Sequence, residues 1–353
     1  MDGVVNEITI AGRSIGQDRR CYVIAEAGVN HNGDLSLATR LVEAAAKVGA
    51  DAVKFQTFSA DRLATEEAPK ADYQREGTGE AESQREMLRR LELTADAHRS
   101  LIDACQQHAI QFLSSPFDEE SADLLDSLNV PAFKIASGEL TNLPFLAHVA
   151  RKGRPIILST GMSTLDEVRA AVRTILEEGN KTFALLHCVS CYPADPADVN
   201  LRAMATLGTT FHAPIGYSDH TRENDVALAA VALGACILEK HLTLDRSLPG
   251  PDHRASSEPH EFAELVRGIR AIQSALGTGD KRPAAAEAAV AAVARKSLVA
   301  VRNIPAGSTI TAGMIAAKRP GTGLPPSLRD RVVGRRAMCD IPAGTLLREE
   351  MLT

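Results

Sequence analysis

The sequence predicts a (β/α)8 TIM barrel followed by a small β-rich domain, and three observations lead there. Eight short apolar runs, at 22–28, 52–58, 110–117, 132–139, 155–161, 183–190, 213–220 and 236–243, each end in polar residues and are followed by helix-forming sequence. The runs are rich in Val, Ile, Leu and Ala on both faces, the pattern of parallel strands buried from two sides. The chain has 353 residues, more than the roughly 250 such a barrel uses, and its character changes after residue 294. Eight alternations of strand and helix close into a barrel whose C-terminal strand ends form one rim.

The elements follow in order. Ile8-Thr9-Ile10 alternates and is followed by Gly12 and Gly16, which suits a hairpin closing the bottom of the barrel. The longest insertion, 59–109, separates the second and third strands. Its first part, 66–83, is charged and poor in large aliphatic residues, and reads as a loop over the rim. Helical spacing resumes at Met87, Leu88 and Leu91 and continues through Leu101 and Ile102. In the last barrel helix, Ser257 is placed to cap, Pro259 fits the first turn, and Phe262, Leu265, Val266, Ile269, Ile272 and Leu276 form one stripe before Gly277. Residues 277–294 carry Gly279, Pro283 and an alanine-rich stretch with little to dock, which reads as a linker. Within 295–353, Ile304-Pro305-Ala306-Gly307 recurs as Ile341-Pro342-Ala343-Gly344, so this module is expected to have approximate two-fold symmetry. The domains are therefore 1–276, the linker 277–294, and 295–353. The last has a marginal core of its own.

Composition removes several classes of function. A formal net charge of -6 with no basic stretch excludes a general nucleic-acid binder. No apolar run has membrane-spanning length and no basic-then-apolar leader pattern is present, so a cytoplasmic protein with no membrane association is expected. The six cysteines are scattered, which fits reduced thiols. Cys188-Val189-Ser190-Cys191 matches C-x-x-C but lies at a strand end rather than a helix start, and Gly321-Thr322-Gly323 lacks the setting of a dinucleotide fingerprint.

The strand ends carry the chemistry. His220 and His241 end the neighbouring strands seven and eight, where two imidazoles can share one divalent metal ion and leave its other positions open. The plainer reading is that each hydrogen-bonds its own loop. Lys54 and Lys134, with Ser115, Ser137, Ser159 and Ser218, offer ammonium and hydroxyl donors suited to a phosphate-bearing substrate. Lysines snorkelling to solvent are the alternative. Glu26, Glu139 and Asp252 bring carboxylates to the same rim for water, protons or sugar hydroxyls.

These residues sit in strings that resemble the sialic-acid synthases, including the N,N'-diacetyllegionaminate synthases. The strings are Ile24-Ala25-Glu26-Ala27-Gly28, Asn30-His31-Asn32-Gly33, Val53-Lys54-Phe55-Gln56-Thr57, Phe133-Lys134-Ile135, Ser137-Gly138-Glu139, Leu158-Ser159-Thr160-Gly161-Met162, Gly216-Tyr217-Ser218-Asp219-His220-Thr221, Glu239-Lys240-His241, Gly250-Pro251-Asp252 and Lys318-Arg319-Pro320-Gly321. The resemblance runs from about Tyr22 to the C-terminus and includes a terminal antifreeze-like (SAF) domain.

The resemblance implies condensation of phosphoenolpyruvate with N-acetylmannosamine or a close 2-acetamido sugar, giving an N-acetylneuraminate-type acid and phosphate. The alternative acceptor is 2,4-diacetamido-2,4,6-trideoxymannose. It implies Mn²⁺ or Mg²⁺ on His220 and His241, and phosphoenolpyruvate held by Lys54, Ser115, Lys134, Ser137, Ser159 and Ser218. Ser190 would join them, at a position where some members carry Asn. Glu26 would place the attacking water, with Lys54 and Glu139 also in catalytic positions, and Gln56, Tyr192 and Asp252 would face the sugar. Arg319 would reach the N-acyl group across a domain-swapped homodimer. A related 3-deoxy-ulosonate synthase or metal-dependent aldolase, and a non-catalytic carbohydrate-binding protein, are the other readings.

Overall fold

The computed structural model describes residues 6–79 and 82–353. A hairpin of β1 (Glu7–Ile10) and β2 (Arg13–Gly16) precedes eight parallel strands. These are β3 (Tyr22–Gly28), β4 (Ala52–Thr57), β5 (Gln111–Pro116), β6 (Phe133–Ile135), β7 (Ile156–Ser159), β8 (Phe183–Cys188), β9 (Ile215–Asp219) and β10 (Ile237–His241). They pair in the order β5-β4-β3-β10-β9-β8-β7-β6. The two ends of that order, β5 and β6, lie side by side and close the barrel. All eight expected strands are present. The fourth is shorter than expected because Ser137–Glu139 turn into a 3-10 helix instead of continuing β6.

Strand parity builds two cores. Val23, Ala25, Val53, Phe55, Phe112, Phe133, Ile135, Leu158 and Leu238 face outward and pack with the barrel helices. Tyr22, Ile24, Ala52, Leu113, Ala132, Ile157, Ala184 and Ile237 face inward and pack with Ile8, Ile10 and Ile15 of the hairpin. The hairpin therefore plugs the bottom, as its sequence suggests. Asp51 fastens it: its carboxylate pairs with Arg13 of the hairpin and, at 2.8 Å, with Arg270 of the helix Pro259–Leu276. Because side chains alternate along a strand, the positions above these apolar layers are Glu26, Lys54, Ser115, Lys134, Ser159, Ser218 and Glu239, which project into the top of the same barrel.

Two local expectations need correction. Ser257 does not cap the last helix; Glu258 does. Ser257 instead pairs in parallel with Leu242, and its N–H donates to the His241 carbonyl at 2.9 Å. The 66–83 segment is not all loop. It contains the helix Asp72–Thr78, and the helices Ala60–Leu63 and Gln84–Arg89 flank it. The buried Lys70 ammonium, bonded to Thr78 Oγ1 at 3.0 Å and the Gly79 carbonyl at 2.7 Å, ties down that short helix's C-terminus.

The chain divides into two compact units, Met1–Gly277 and Thr278–Thr353. The segment read as a linker thus groups with the second unit and holds the helix Ala288–Ala294. In that unit β11 (Ser297–Ala300) and β12 (Ile315–Lys318) are antiparallel. The sequence repeat becomes a reciprocal contact: Ile304 and Ile341 exchange backbone hydrogen bonds of 2.9 and 2.8 Å. Asn303 Oδ1 accepts from Ala343 N, and Asp340 Oδ1 accepts from Ala306 N, so each copy caps the other's Pro-Ala-Gly turn. Leu298, Ile310, Ile315, Val332 and Leu347 fill its core.

Candidate active site

At the C-terminal end of the barrel a cavity of about 460 Å³ is lined by Glu26, Lys54, Gln56, Ser115, Lys134, Ser137, Glu139, Ser159, Ser190, Tyr192, Ser218, His220, His241 and Asp252. The sequence candidates of the barrel therefore converge on one space. Arg319 belongs to the second unit, where it is exposed and its Nε donates to the Ala294 carbonyl at 3.1 Å.

The floor is a buried ionic cluster. Lys54 Nζ lies 2.5 Å from Glu26 Oε2, 3.9 Å from Glu239 Oε2 and 3.1 Å from Ser115 Oγ. Lys134 Nζ lies 3.4 Å from Glu239 Oε1, which also accepts from Ser218 Oγ at 3.0 Å. Both lysines are almost wholly buried, so neither snorkels to solvent. Two ammonium groups and two carboxylates compensate one another, which is what makes such burial tolerable. Burial lifts the Glu26 carboxyl to about 7, against the pull of Lys54. Burial also opposes the charge on Lys54, but Glu239 and Glu26 outweigh it and hold this ammonium above its ordinary range. For Lys134 burial wins and its value falls. Glu239 goes the other way, since Lys134 and Lys54 overcome its burial.

Glycine makes room for this cluster at two points. At the bulge between β3 and β4, Gly28 has φ +51° and a Cβ there would sit 3.1 Å from Glu26 Oε1. At Gly161 a Cβ would lie 2.3 Å from Ser190 Oγ and 2.8 Å from Ser137 Oγ, so only glycine leaves room for both hydroxyls. Ser137 Oγ accepts from the Gly161 N–H at 3.0 Å.

The histidines stand together above the floor, ring centroids 5.4 Å apart, with the Tyr192 ring 4.1 Å from His220 and 5.5 Å from His241. His220 Nδ1 lies 2.7 Å from the Val189 carbonyl, which can only accept, so Nδ1 carries a proton and Nε2 is the nitrogen left for a metal. Burial opposes the charge on His220, but Cys188 and this carbonyl outweigh it and raise its value. His241 Nδ1 is buried without a hydrogen-bond partner, 3.7 Å from Asp252 Oδ2. Burial pushes Asp252 up to about 6 and, helped by His220, holds His241 well below its ordinary value. A neutral imidazole is the ligand form: His241 is held in it, and His220 would present Nε2 to a divalent cation by giving up its proton there. Among the described residues no group of three or more His, Cys, Asp or Glu is arranged to hold one. Two imidazoles would thus leave the ion open to water and substrate. Glu139, lifted by burial, stands at the rim with its Oε2 accepting from Asn142 Nδ2 at 3.0 Å.

Sequence reasoning missed Glu239, the residue that bridges both lysines. The signal was available: Glu239 is two positions before His241 on one strand and so faces the same way. Cys188, on the same face of β8 and 3.7 Å from His220 Nδ1, was missed too. Three buried polar atoms around this one cavity have no hydrogen-bond partner: Glu239 Oε2, Ser159 Oγ and His241 Nδ1. Buried polar groups are normally satisfied, so their concentration here marks where a ligand completes the bonding.

Fold and site together define a (β/α)8 enzyme with its active site at the C-terminal strand ends. The chain belongs to the NeuB family: residues 41–281 match the NeuB family model, and 295–353 match the SAF domain. It is 48% identical over 336 residues to an N,N'-diacetyllegionaminic acid synthase of Legionella pneumophila, with 94% of each chain covered. It is 46% identical over 333 residues to the protein of that name in Campylobacter jejuni, covering 94% of this chain and 100% of the other. The crystal structure of the N-acetylneuraminic acid (sialic acid) synthetase of Leptospira borgpetersenii in complex with citrate matches with a TM-score of 0.71 at 36% identity, covering 81% of this chain and 95% of that one. Like its named relatives, the chain is a phosphoenolpyruvate-dependent condensing synthase. Among the described residues no helix is long and apolar enough to cross a membrane.

Proposed function

We propose that the chain condenses phosphoenolpyruvate with 2,4-diacetamido-2,4,6-trideoxymannose, giving N,N'-diacetyllegionaminate and phosphate, with N-acetylmannosamine as a poorer acceptor. This reverses the order of sugars that the sequence motifs suggest. The reason is that two diacetyllegionaminic acid synthases share 48% and 46% identity with this chain, against 36% for a sialic acid synthetase. The observation that carries the reaction class is the pair of buried ammonium groups, Lys54 and Lys134, with the Ser115 and Ser218 hydroxyls in the same cluster, a set suited to a small phosphorylated carboxylate.

In this reading Lys54, Lys134, Ser115, Ser137, Ser159, Ser190 and Ser218 hold the phosphate and carboxylate of phosphoenolpyruvate. Its C3 attacks the aldehyde carbon of the open-chain sugar, whose oxygen becomes a hydroxyl. Water adds at C2, and phosphate leaves as the C2–O bond breaks, so one water is consumed and one phosphate released. Glu26, poised near neutrality, takes the proton of that water and passes it on. Gln56, Tyr192 and Asp252 orient the sugar, and Glu139 serves the rim. Mn²⁺ or Mg²⁺ held by His220 and His241 would polarise the aldehyde. Arg319 would serve the N-acyl group across a domain-swapped homodimer, a role supported by the SAF match over 295–353.

The test is phosphate release from phosphoenolpyruvate and Mn²⁺ with each sugar in parallel. Preference for the diacetamido sugar is expected. Preference for N-acetylmannosamine would make the chain a neuraminate synthase, and release with neither would remove both assignments.

A further inference from the structure

One side of the cavity has no charge. Val29, Leu63, Met87, Leu88, Leu91 and Phe117 line it and pack as a single apolar cluster with Phe58. Met87 and Leu88 lie on the helix Gln84–Arg89 and Leu63 ends the helix Ala60–Leu63, so the 59–109 insertion supplies most of this wall. Val29, Met87 and Leu91 are nearly inaccessible, while Leu63, Leu88 and Phe117 keep part of their surface open. The polar interruptions are two carboxamides, Gln74 and Gln84, joined by a 3.4 Å bond from Gln84 Nε2 to Gln74 Oε1. A ring pair, Tyr73 over Tyr192 with centroids 5.0 Å apart, connects this wall to the histidines.

We infer that this wall selects the far end of the acceptor sugar, taking a terminal methyl group and a second acetamido group in place of a hydroxymethyl group. The inference rests on the condensation proposed above. The floor and the histidines account for the reacting aldehyde and phosphoenolpyruvate, so the carbons remote from the aldehyde are left for the remaining side. A terminal hydroxyl laid against Leu63, Leu88 and Phe117 would lose its bonds to water without a replacement, whereas a methyl would gain by the same burial. An acetamido group, part amide and part methyl, matches carboxamides set among leucines. An apolar surface rejects an added hydroxyl only by about 100-fold at most, so the preference is expected within that bound.

The experiment compares kcat/KM for N-acetylmannosamine, its 6-deoxy analogue and 2,4-diacetamido-2,4,6-trideoxymannose, in the native protein and in Leu88→Gln and Leu63→Gln. In the native protein, removal of the terminal hydroxyl alone should raise kcat/KM about tenfold, a result that needs no variant to fold. In each variant that gain should shrink at least several-fold while the KM for phosphoenolpyruvate is unchanged. Equal kcat/KM for the first two sugars in the native protein would overturn the wall's role while leaving the condensation standing. An undiminished 6-deoxy gain in both folded variants would do the same. Turnover of none of the three would instead overturn the condensation, and this inference with it.

Discussion

The floor and the wall of one cavity are built from different material. The floor is strand-borne: Glu26, Lys54, Lys134 and Glu239 project from β3, β4, β6 and β10, each held by a parallel ladder. The wall comes from short helices of the inter-strand insertion and from the loops after β3 and β5. A ladder fixes positions closely and suits charges whose energies change steeply with distance. An apolar wall tolerates small shifts and suits the recognition of shape. Chemistry and selectivity are thus separable here: floor changes should affect every substrate alike, and wall changes only the ratio between sugars.

The largest effect is expected just behind the floor. On the outer face of the barrel, Lys240 Nζ lies 2.5 Å from Asp219 Oδ2 and 2.6 Å from the Thr221 carbonyl, and Asp219 Oδ1 accepts from Thr221 N at 2.9 Å. Asp219 and Lys240 directly precede His220 and His241, so this fully buried pair staples the two strand ends that present the imidazoles. Lys240→Met would leave the Asp219 carboxylate buried without its countercharge, at a cost of about 3–5 kcal/mol of stability. Urea titration should show that loss, and Asp219→Asn with Lys240→Met should recover at least half of it. A loss below about 1 kcal/mol would mean the staple is not what holds these ends. Leu88→Gln on the wall strands no charge and should cost far less.

On the floor itself, Lys134→Ala removes one cation and leaves Glu239 with only Lys54 at 3.9 Å and the Ser218 hydroxyl to offset its burial. Truncating one member of a buried charge pair costs about 2–5 kcal/mol, so kcat/KM for phosphoenolpyruvate should fall by about 100-fold or more. The preference between the two sugars should stay within about twofold, because the loss is the same for both. A large shift in that preference would break the division between floor and wall.

This division also marks what the sequence could reveal. The floor was legible because strands alternate: Lys54, Ser115, Lys134, Ser159, Ser218 and His241 are polar residues within apolar runs, and one rule places them on one rim. Glu239 was read only as a neighbour of His241, although the same alternation places it on that rim. The wall was not legible. Met87 and Leu88 have helical spacing, but nothing in it says whether their stripe docks on the barrel or lines its mouth. The helix Asp72–Thr78 was hidden for a related reason: its C-terminus is fastened by Lys70, a tertiary contact that propensity does not register. The repeat at 304–307 and 341–344 announced a two-fold, yet only the structure shows Asn303 and Asp340 capping each other's turns.

The smallest and most diagnostic effect concerns proton occupancy at Glu26. Lys54 from β4, Lys134 from β6 and Glu239 from β10 all act on it, and burial still carries the carboxyl from 4.5 to about 7. Between those values the folded chain binds this proton more tightly than the unfolded chain does. The contribution of Glu26 to stability therefore falls as pH rises from about 4.5 to about 7, and is flat above. Activity should run the other way. A base that takes the proton of water must be ionised, so kcat/KM should drop about tenfold per pH unit below about 7. Glu26→Gln should abolish that acid limb, lower the plateau, and make stability less steeply declining over the same range. If the limb survives in Glu26→Gln with its midpoint near 6, it belongs to Asp252, whose burial lifts it to about that value. The base would then stand beside the histidines rather than on the lysine floor, and the water would approach from the sugar's side of the cavity.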